Sequence, residues 1–309
     1  MNITMLRSDT IYRQIIELKP EEKREAYREQ MLAPFKKKWE IQQIPFRSER
    51  PGGFDVLTLN DLMYLPADRI DESLLETVDL ISPNDFWAEC EQIVKDSFSC
   101  FEQQGIYLPV QKVVFTVLLG NPDSQILKIN EGYSGDGGIP GYILTVLTPN
   151  TYTLPRIRAA LAHECNHNVR YQFIRWDMDV TLAELIVSEG LAESFAVSRC
   201  GEEWLGPWVS KTDTETLNKV IKPMLKPILQ GKGWANIAPY LYGDEIAALQ
   251  SMTPVGAPYG AGYACGYYLI QHYLRKTGET IEQATLKSAE EILKVTEDYW
   301  YAESVVDGT

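Results

Sequence analysis

Histidine is scarce in this chain, with three in 309 residues, and the five cysteines are scattered and odd in number. Cys90, Cys100, Cys165, Cys200 and Cys265 never form a C-x-x-C pair, so neither a disulfide framework nor a thiolate zinc cluster is expected, and a reducing cytoplasmic setting fits best. Positive charge is also in short supply. The 29 Lys and Arg stand against 43 Asp and Glu, a formal net charge of −14, which disfavours nucleic acid and anionic membranes as partners. The one basic cluster, Lys36-Lys37-Lys38, reads as a solvated helix face. No stretch approaches the roughly 20 apolar residues of a membrane span. The first residues meet charge at Arg7 and Asp9 without an apolar leader core, so export is not expected.

What remains is an ordinary soluble composition, 45% hydrophobic and 23% charged, which can build a core of its own. The length is about twice that of a usual domain, which favours two packed lobes over one large domain. From Asp9 to Glu40 the pattern is helical and charged, with a start at Pro20, and Gln42 to Phe54 reads as a linker around Pro51-Gly52-Gly53. A core helix follows, with Ser82 as N-cap, Pro83 at the first position and Gly105 as its stop. Tyr107 to Leu119 and Tyr142 to Leu147 are β-branched and apolar, and read as strands. Between them the glycine-rich stretch from Gly132 to Gly141 lacks the Gly-Lys-Ser/Thr ending of a phosphate loop and reads as a hairpin connection. Helices are expected over Arg156 to Tyr171 and Leu182 to Cys200, and further helices over Trp204 to Thr309. The expected organisation is a mainly helical region 1–105, a catalytic core 106–205 and a helical C-terminal lobe 206–309 that closes the cleft.

Two of the three histidines fall in one pentapeptide, His163-Glu164-Cys165-Asn166-His167. On a helix, residues i and i+4 lie about 40° apart and one turn along, so both imidazoles can reach one zinc ion at about 2.0–2.1 Å. Glu164, at i+1, can address the attacking water without being a ligand. The apolar flanks Ile157, Ala159 to Ala162 and Val169 imply that this ionisable cluster is partly buried, which costs free energy unless it has partners.

A zinc hydrolase needs a third protein ligand and an open fourth position. A third histidine in the pattern H-E-x-x-H-x-x-G-x-x-H is excluded, because Arg170 and Phe173 stand where glycine and histidine would be. Carboxylates on the next helix are the alternatives. Thr181 and Glu184 form a T-x-x-E capping box, which gives Glu184 a structural part. Glu189 and Glu193 project near the middle of a stripe that includes Leu182, Leu185, Ile186, Ala196 and Val197, where two carboxylates need a partner or a metal. Glu189 is expected as the third ligand. Glu193 is expected to accept the free ring N–H of a ligand histidine, and the two glutamates could exchange these parts.

These residues resemble the gluzincins, the thermolysin-like metallopeptidases: His163, Glu164, His167, Glu189 and Glu193 match that pattern position by position. The span from Gly138 to Ala196, with IPGYILTVLTPN, AHECNHNVR and SEGLAESFA, and the later GYACGYYLIQHYL resemble the bacterial YjaZ-like predicted zinc-dependent proteases. The resemblance implies an α+β fold: a gluzincin-like zincin core of mixed sheet, active-site helix and glutamate-bearing helix, with additional N- and C-terminal helices. It also implies one zinc ion per chain, a peptide or protein substrate, and a strand before the catalytic helix that walls the cleft, a place Tyr142 to Leu147 would occupy.

The expected chemistry is peptide hydrolysis with Glu164 as general base and a further donor for the oxyanion. Tyr263 is the leading candidate for that donor, then Tyr259, with His272 as another possibility. Arg170 could bind a substrate carboxylate or form a structural ion pair. Alternative readings are a zinc hydrolase of a non-peptide amide or ester, and a noncatalytic metal-binding or chaperone-like protein on the same fold.

Overall fold

In the computed structural model, which describes residues 1–177, 179–301 and 303–304, the β-branched runs form a four-stranded mixed sheet in the order β1-β2-β4-β3. The strands are β1 (Asn2–Met5), β2 (Lys112–Leu119), β3 (Tyr133–Asp136) and β4 (Tyr142–Leu147). β1 pairs parallel with β2, β2 pairs parallel with β4, and β3 runs antiparallel to β4 with Asp136 opposite Leu144. The protein is α+β. Its principal helices are α1 (Ser8–Ile16), α2 (Pro20–Tyr27), α3 (Lys36–Ile41), α4 (Asn84–Gln103), α5 (Thr153–Arg170), α6 (Leu182–Cys200), α7 (Trp234–Tyr242) and α8 (Ala261–Thr277). Among the described residues, no helix is long and apolar enough to cross a membrane.

The chain divides into two compact units, one of Met1–Ser99 with Leu108–Asn168, the other of Cys100–Tyr107 with Val169–Thr309. The first holds the sheet. β2 and β4 are buried along nearly their whole length, which explains why their sequences are apolar runs instead of alternating ones. Against them pack Ile11, Tyr12 and Ile15 of α1 and Tyr27, Met31, Leu32, Phe35 and Trp39 from the segments that follow. The Tyr12 hydroxyl accepts the Leu119 backbone N–H at 3.0 Å, so a buried phenol meets its polar requirement at the sheet.

Helix boundaries follow local signals closely. Pro20 opens α2, Gly105 (φ 75°) follows α4, and Gly201 (φ 111°) ends α6. The Gln42 to Phe54 segment contains no helix or strand. Four expectations are corrected. Ser82 does not cap α4: the helix begins at Asn84, and the Ser82 hydroxyl donates to Val78 O at 2.8 Å. The Tyr107 to Leu119 strand begins only at Lys112, past Pro109. The glycine-rich stretch contains a strand of its own, β3. The Lys36-Lys37-Lys38 run is not a solvated face throughout, because Lys38 is fully buried.

In the second unit α6 and α8 meet backbone to backbone. A Cβ on Gly190 would lie 2.2 Å from Gly266 O, and one on Gly266 would lie 2.1 Å from Ile186 O. Gly262, one turn earlier on α8, faces Leu241 of α7 in the same way. Small residues four apart thus let α8 approach two helices. Gly190→Ala is expected to cost about 3 kcal/mol, the upper end of ordinary overpacking, because the obstacle is main chain and cannot rotate away. Thermal unfolding should show the midpoint falling by roughly 5–10 °C; a fall below 2 °C would mean that the two helices separate easily.

Candidate functional site

His163, Glu164 and His167 sit on the buried part of α5, each less than 8% exposed. The i, i+4 spacing places both imidazoles on one face, their Nε2 atoms 3.1 Å apart and their rings inclined at 74°. Two nitrogens bound to one zinc at about 2.0–2.1 Å with tetrahedral geometry lie about 3.3 Å apart. The pair therefore fits a shared ion to within a few tenths of an ångström.

Glu164 faces the glycine-rich segment. Its Oε2 accepts the Gly137 backbone N–H at 2.6 Å, a short charge-assisted bond. A Cβ at Gly135 would fall 2.4 Å from Glu164 Oε1, and one at Gly137 would fall 2.3 Å from the Glu164 backbone carbonyl. Only glycine permits this approach at both positions. One turn beyond Glu164 on the same face, Asn168 closes the segment. Its Nδ2 donates to Gly137 O, Ile139 O and Tyr142 O, each at 3.0 Å, and its Oδ1 accepts Gly141 N–H at 2.9 Å. The acid and the amide together bind the loop to the helix.

The loop explains a further correction. β4, the strand expected to wall a cleft, is flanked by β2 and β3, so neither edge is open to an added strand. The terminal strand beside Glu164 is β3. Tyr64 lies in the same electrostatic field: burial raises its phenol well above the usual range, and the nearby Asp136 and Glu164 carboxylates raise it further.

The second unit carries the remaining predicted residues. From Leu182 to Ala196 every residue of α6 is buried except Glu184 and Glu189. Glu193 accepts the Gly206 N–H at 2.6 Å and the Trp208 indole N–H at 2.9 Å, one on each carboxylate oxygen. The Trp208 ring packs against Tyr263 at 5.9 Å, and Tyr263 against Tyr242 at 6.0 Å, so Glu193 and Tyr263 are connected through one indole. Tyr259 has Lys211 Nζ 5.2 Å from its ring centre. His272 lies elsewhere, 3.2 Å from Asp298 Oδ2 in a surface group with Lys276, whose bond holds the Asp298 carboxyl down at about 2.

Glu184 and Arg170 are structural, by a route the capping box only half describes. Thr181 Oγ1 accepts Glu184 N–H at 3.2 Å, but the Glu184 carboxylate turns to the buried Arg170 guanidinium and to Ala289 N–H. Sequence reasoning did not find Asn168, Lys38 or Trp208. The one local signal was the Gly-Asp-Gly at 135–137, since alternate glycines in a strand mark close approach by another element.

A buried helix bearing two convergent imidazoles and a held carboxylate, beside the end strand of a mixed sheet, defines an α+β protein with a candidate hydrolytic metal centre. The chain belongs to the family described as "Predicted Zn-dependent protease (DUF2268)", whose model matches residues 86–294. This agrees with the resemblance to YjaZ-like predicted zinc proteases. It is 32% identical over 294 residues to the uncharacterized protein YjfC of Bacillus subtilis (strain 168), a span that covers 95% of this chain and 97% of that protein. No solved structure matches the chain.

Proposed function

We propose that the protein is a gluzincin-like zinc metallopeptidase in which His163, His167 and Glu189 hold one zinc ion per chain and Glu164 is the general base. The observation that carries this reading is the convergence of two imidazole Nε2 atoms at 3.1 Å next to a carboxylate fixed by a backbone amide. Two imidazoles and a carboxylate are a donor set that suits zinc. Glu189 is preferred to Glu193 as the ligand because Glu193 already accepts two N–H bonds, one on each oxygen, while Glu189 is half-buried on the same helix. Glu193 keeps the orienting part expected of it only by sharing one of those engaged oxygens with a ligand histidine's ring N–H, a second bond that a carboxylate oxygen can accept.

Zinc, when bound, supplies a Lewis acid that polarises the scissile carbonyl and makes water acidic enough to attack near neutral pH. Glu164 takes the proton of the attacking water and passes that proton to the leaving amine. Gly137 N–H keeps the carboxylate from rotating between those two transfers. Tyr263, braced by Trp208 and Tyr242, donates to the developing oxyanion. β3 would pair with an extended peptide, in the place expected of β4.

Metal analysis of the purified chain is expected to give about one zinc, lost in Glu189→Ala. Digestion of a peptide library by the zinc-loaded parent, read by mass spectrometry, should show cleavage that a chelator abolishes. Full zinc content in Glu189→Ala would refute the third ligand. Zinc binding with no peptide cleaved would refute the peptidase reading in favour of a non-peptide amide or ester hydrolase, or of a noncatalytic metal-binding protein.

A further inference from the structure

Lys38 is the one member of the basic run that is fully buried. Its Nζ donates to Asp136 Oδ2 at 2.5 Å and to Gln42 Oε1 at 2.7 Å, and lies 4.3 Å from the centre of the Trp39 ring. Its partner, Asp136, is the last residue of β3, between the two glycines that lie against Glu164. Successive residues of an extended chain face opposite sides. Gly135 and Gly137 therefore face the catalytic helix while Asp136 turns away from it, toward α3.

β3 is anchored at its start by the buried Tyr133, but Ser134, Gly135 and Asp136 are only partly buried and one of them has no side chain, so packing holds the end nearest Glu164 weakly, and a slip of one residue there reverses every face. Here a slip would remove the Gly137 amide from Glu164 and turn the Asp136 carboxylate toward the Glu164 carboxylate. The Lys38 side chain is fully buried and that of Asp136 34% exposed; an ion pair drawn out of water in this way gains little stability over an apolar pair of the same volume, and its best attested use is to specify register. Burial opposes ionisation of Asp136, yet Lys38 and the Gly138 N–H hold its carboxyl below the usual carboxylate range.

We propose that Lys38 is a positioning residue for Glu164: through Asp136 it locks β3 in the one register that presents the Gly137 N–H to the Glu164 carboxylate. The inference rests on the reading of Glu164 as general base for its catalytic consequence, but the positioning itself does not need it. Asn168 fixes the far side of the same loop, and Lys38 fixes the near side.

The test uses the full chain, labelled with ¹⁵N-glycine and free of metal, in the parent, Lys38→Met, Lys38→Arg and Asp136→Asn forms. The Gly137 amide proton, shifted downfield by its short bond to a carboxylate, is expected to move upfield and to exchange with solvent at least about tenfold faster in Lys38→Met and Asp136→Asn, with partial return in Lys38→Arg. In the zinc-loaded enzyme kcat should fall about tenfold to a hundredfold at unchanged zinc content and with KM within about twofold, the signature of a displaced base. Lys38→Met/Asp136→Asn should be no worse than either single variant, since both remove one device. An unmoved Gly137 amide in a folded variant overturns the proposal, whatever the kinetics. Should Lys38→Met fail to fold, Asp136→Asn decides on the same signal. A parent that cleaves no peptide while the Gly137 amide moves as stated would sink the peptidase reading and leave the positioning intact.

Discussion

Glu164→Gln is expected to lower kcat/KM for any peptide the parent cleaves by about 10²–10⁴-fold, the usual worth of a general base, while zinc content stays at that of the parent. Glutamine keeps the shape of the side chain, and its amide oxygen can still accept the Gly137 N–H that Oε2 accepts at 2.6 Å. What it cannot do is take a proton from water near neutral pH. The variant therefore separates chemistry from architecture: α5, the imidazole pair and the loop should be unchanged, and only proton transfer is lost. Initial rates on a peptide chosen from the library digest, with zinc measured on the same samples, check this. Cleavage at the parent's rate would show that the activity comes from a contaminant or another mechanism. Zinc lost along with activity would show that Glu164 belongs to the metal's own ligands.

Arg170→Met should cost about 3–5 kcal/mol of stability, the range for breaking one side of a buried ion pair. The Arg170 side chain is fully buried, and its Nη1 donates to Thr285 O and Lys287 O, both at 2.8 Å, while Nη2 bonds Glu184. Methionine fills similar space, but leaves two carbonyls without this donor and Glu184 with the Ala289 N–H at 3.1 Å as its remaining partner among these contacts. The same physics predicts that Arg170→Met/Glu184→Leu recovers much of the loss, since an apolar pair of similar volume replaces a buried ionic one at little net cost. Urea unfolding of the single and double variants measures both. A single-variant cost below about 1 kcal/mol would place the pair with exposed salt bridges and refute its structural part.

The legible parts of the sequence were those whose information is local. His163 and His167 share a face because four residues along a helix make one turn, and the apolar flanks of α5 announced its burial before any fold was known. Helix stops at Gly105 and Gly201 follow from the backbone freedom those positions need, with φ of 75° and 111°. The capping box at Thr181 was half legible: the backbone bond formed as expected, but the Glu184 carboxylate went to Arg170. The buried Arg170 guanidinium offers that carboxylate a charge-assisted bond, stronger than one to a neutral backbone N–H.

By itself, then, the sequence determined an acidic, helix-rich chain with a strand pair before a histidine-bearing helix, and an acidic pair at i, i+4 on the helix that follows. The tertiary structure alone decided that β3, and not β4, ends the sheet, that Glu193 is engaged by Trp208 and Gly206, and that Lys38 is buried against an aspartate 98 residues away. The reason is one of range. Periodicity and turn chemistry act between neighbours and can be read along the chain, whereas register, burial of a charge and the choice of its partner are fixed by residues that only folding makes adjacent.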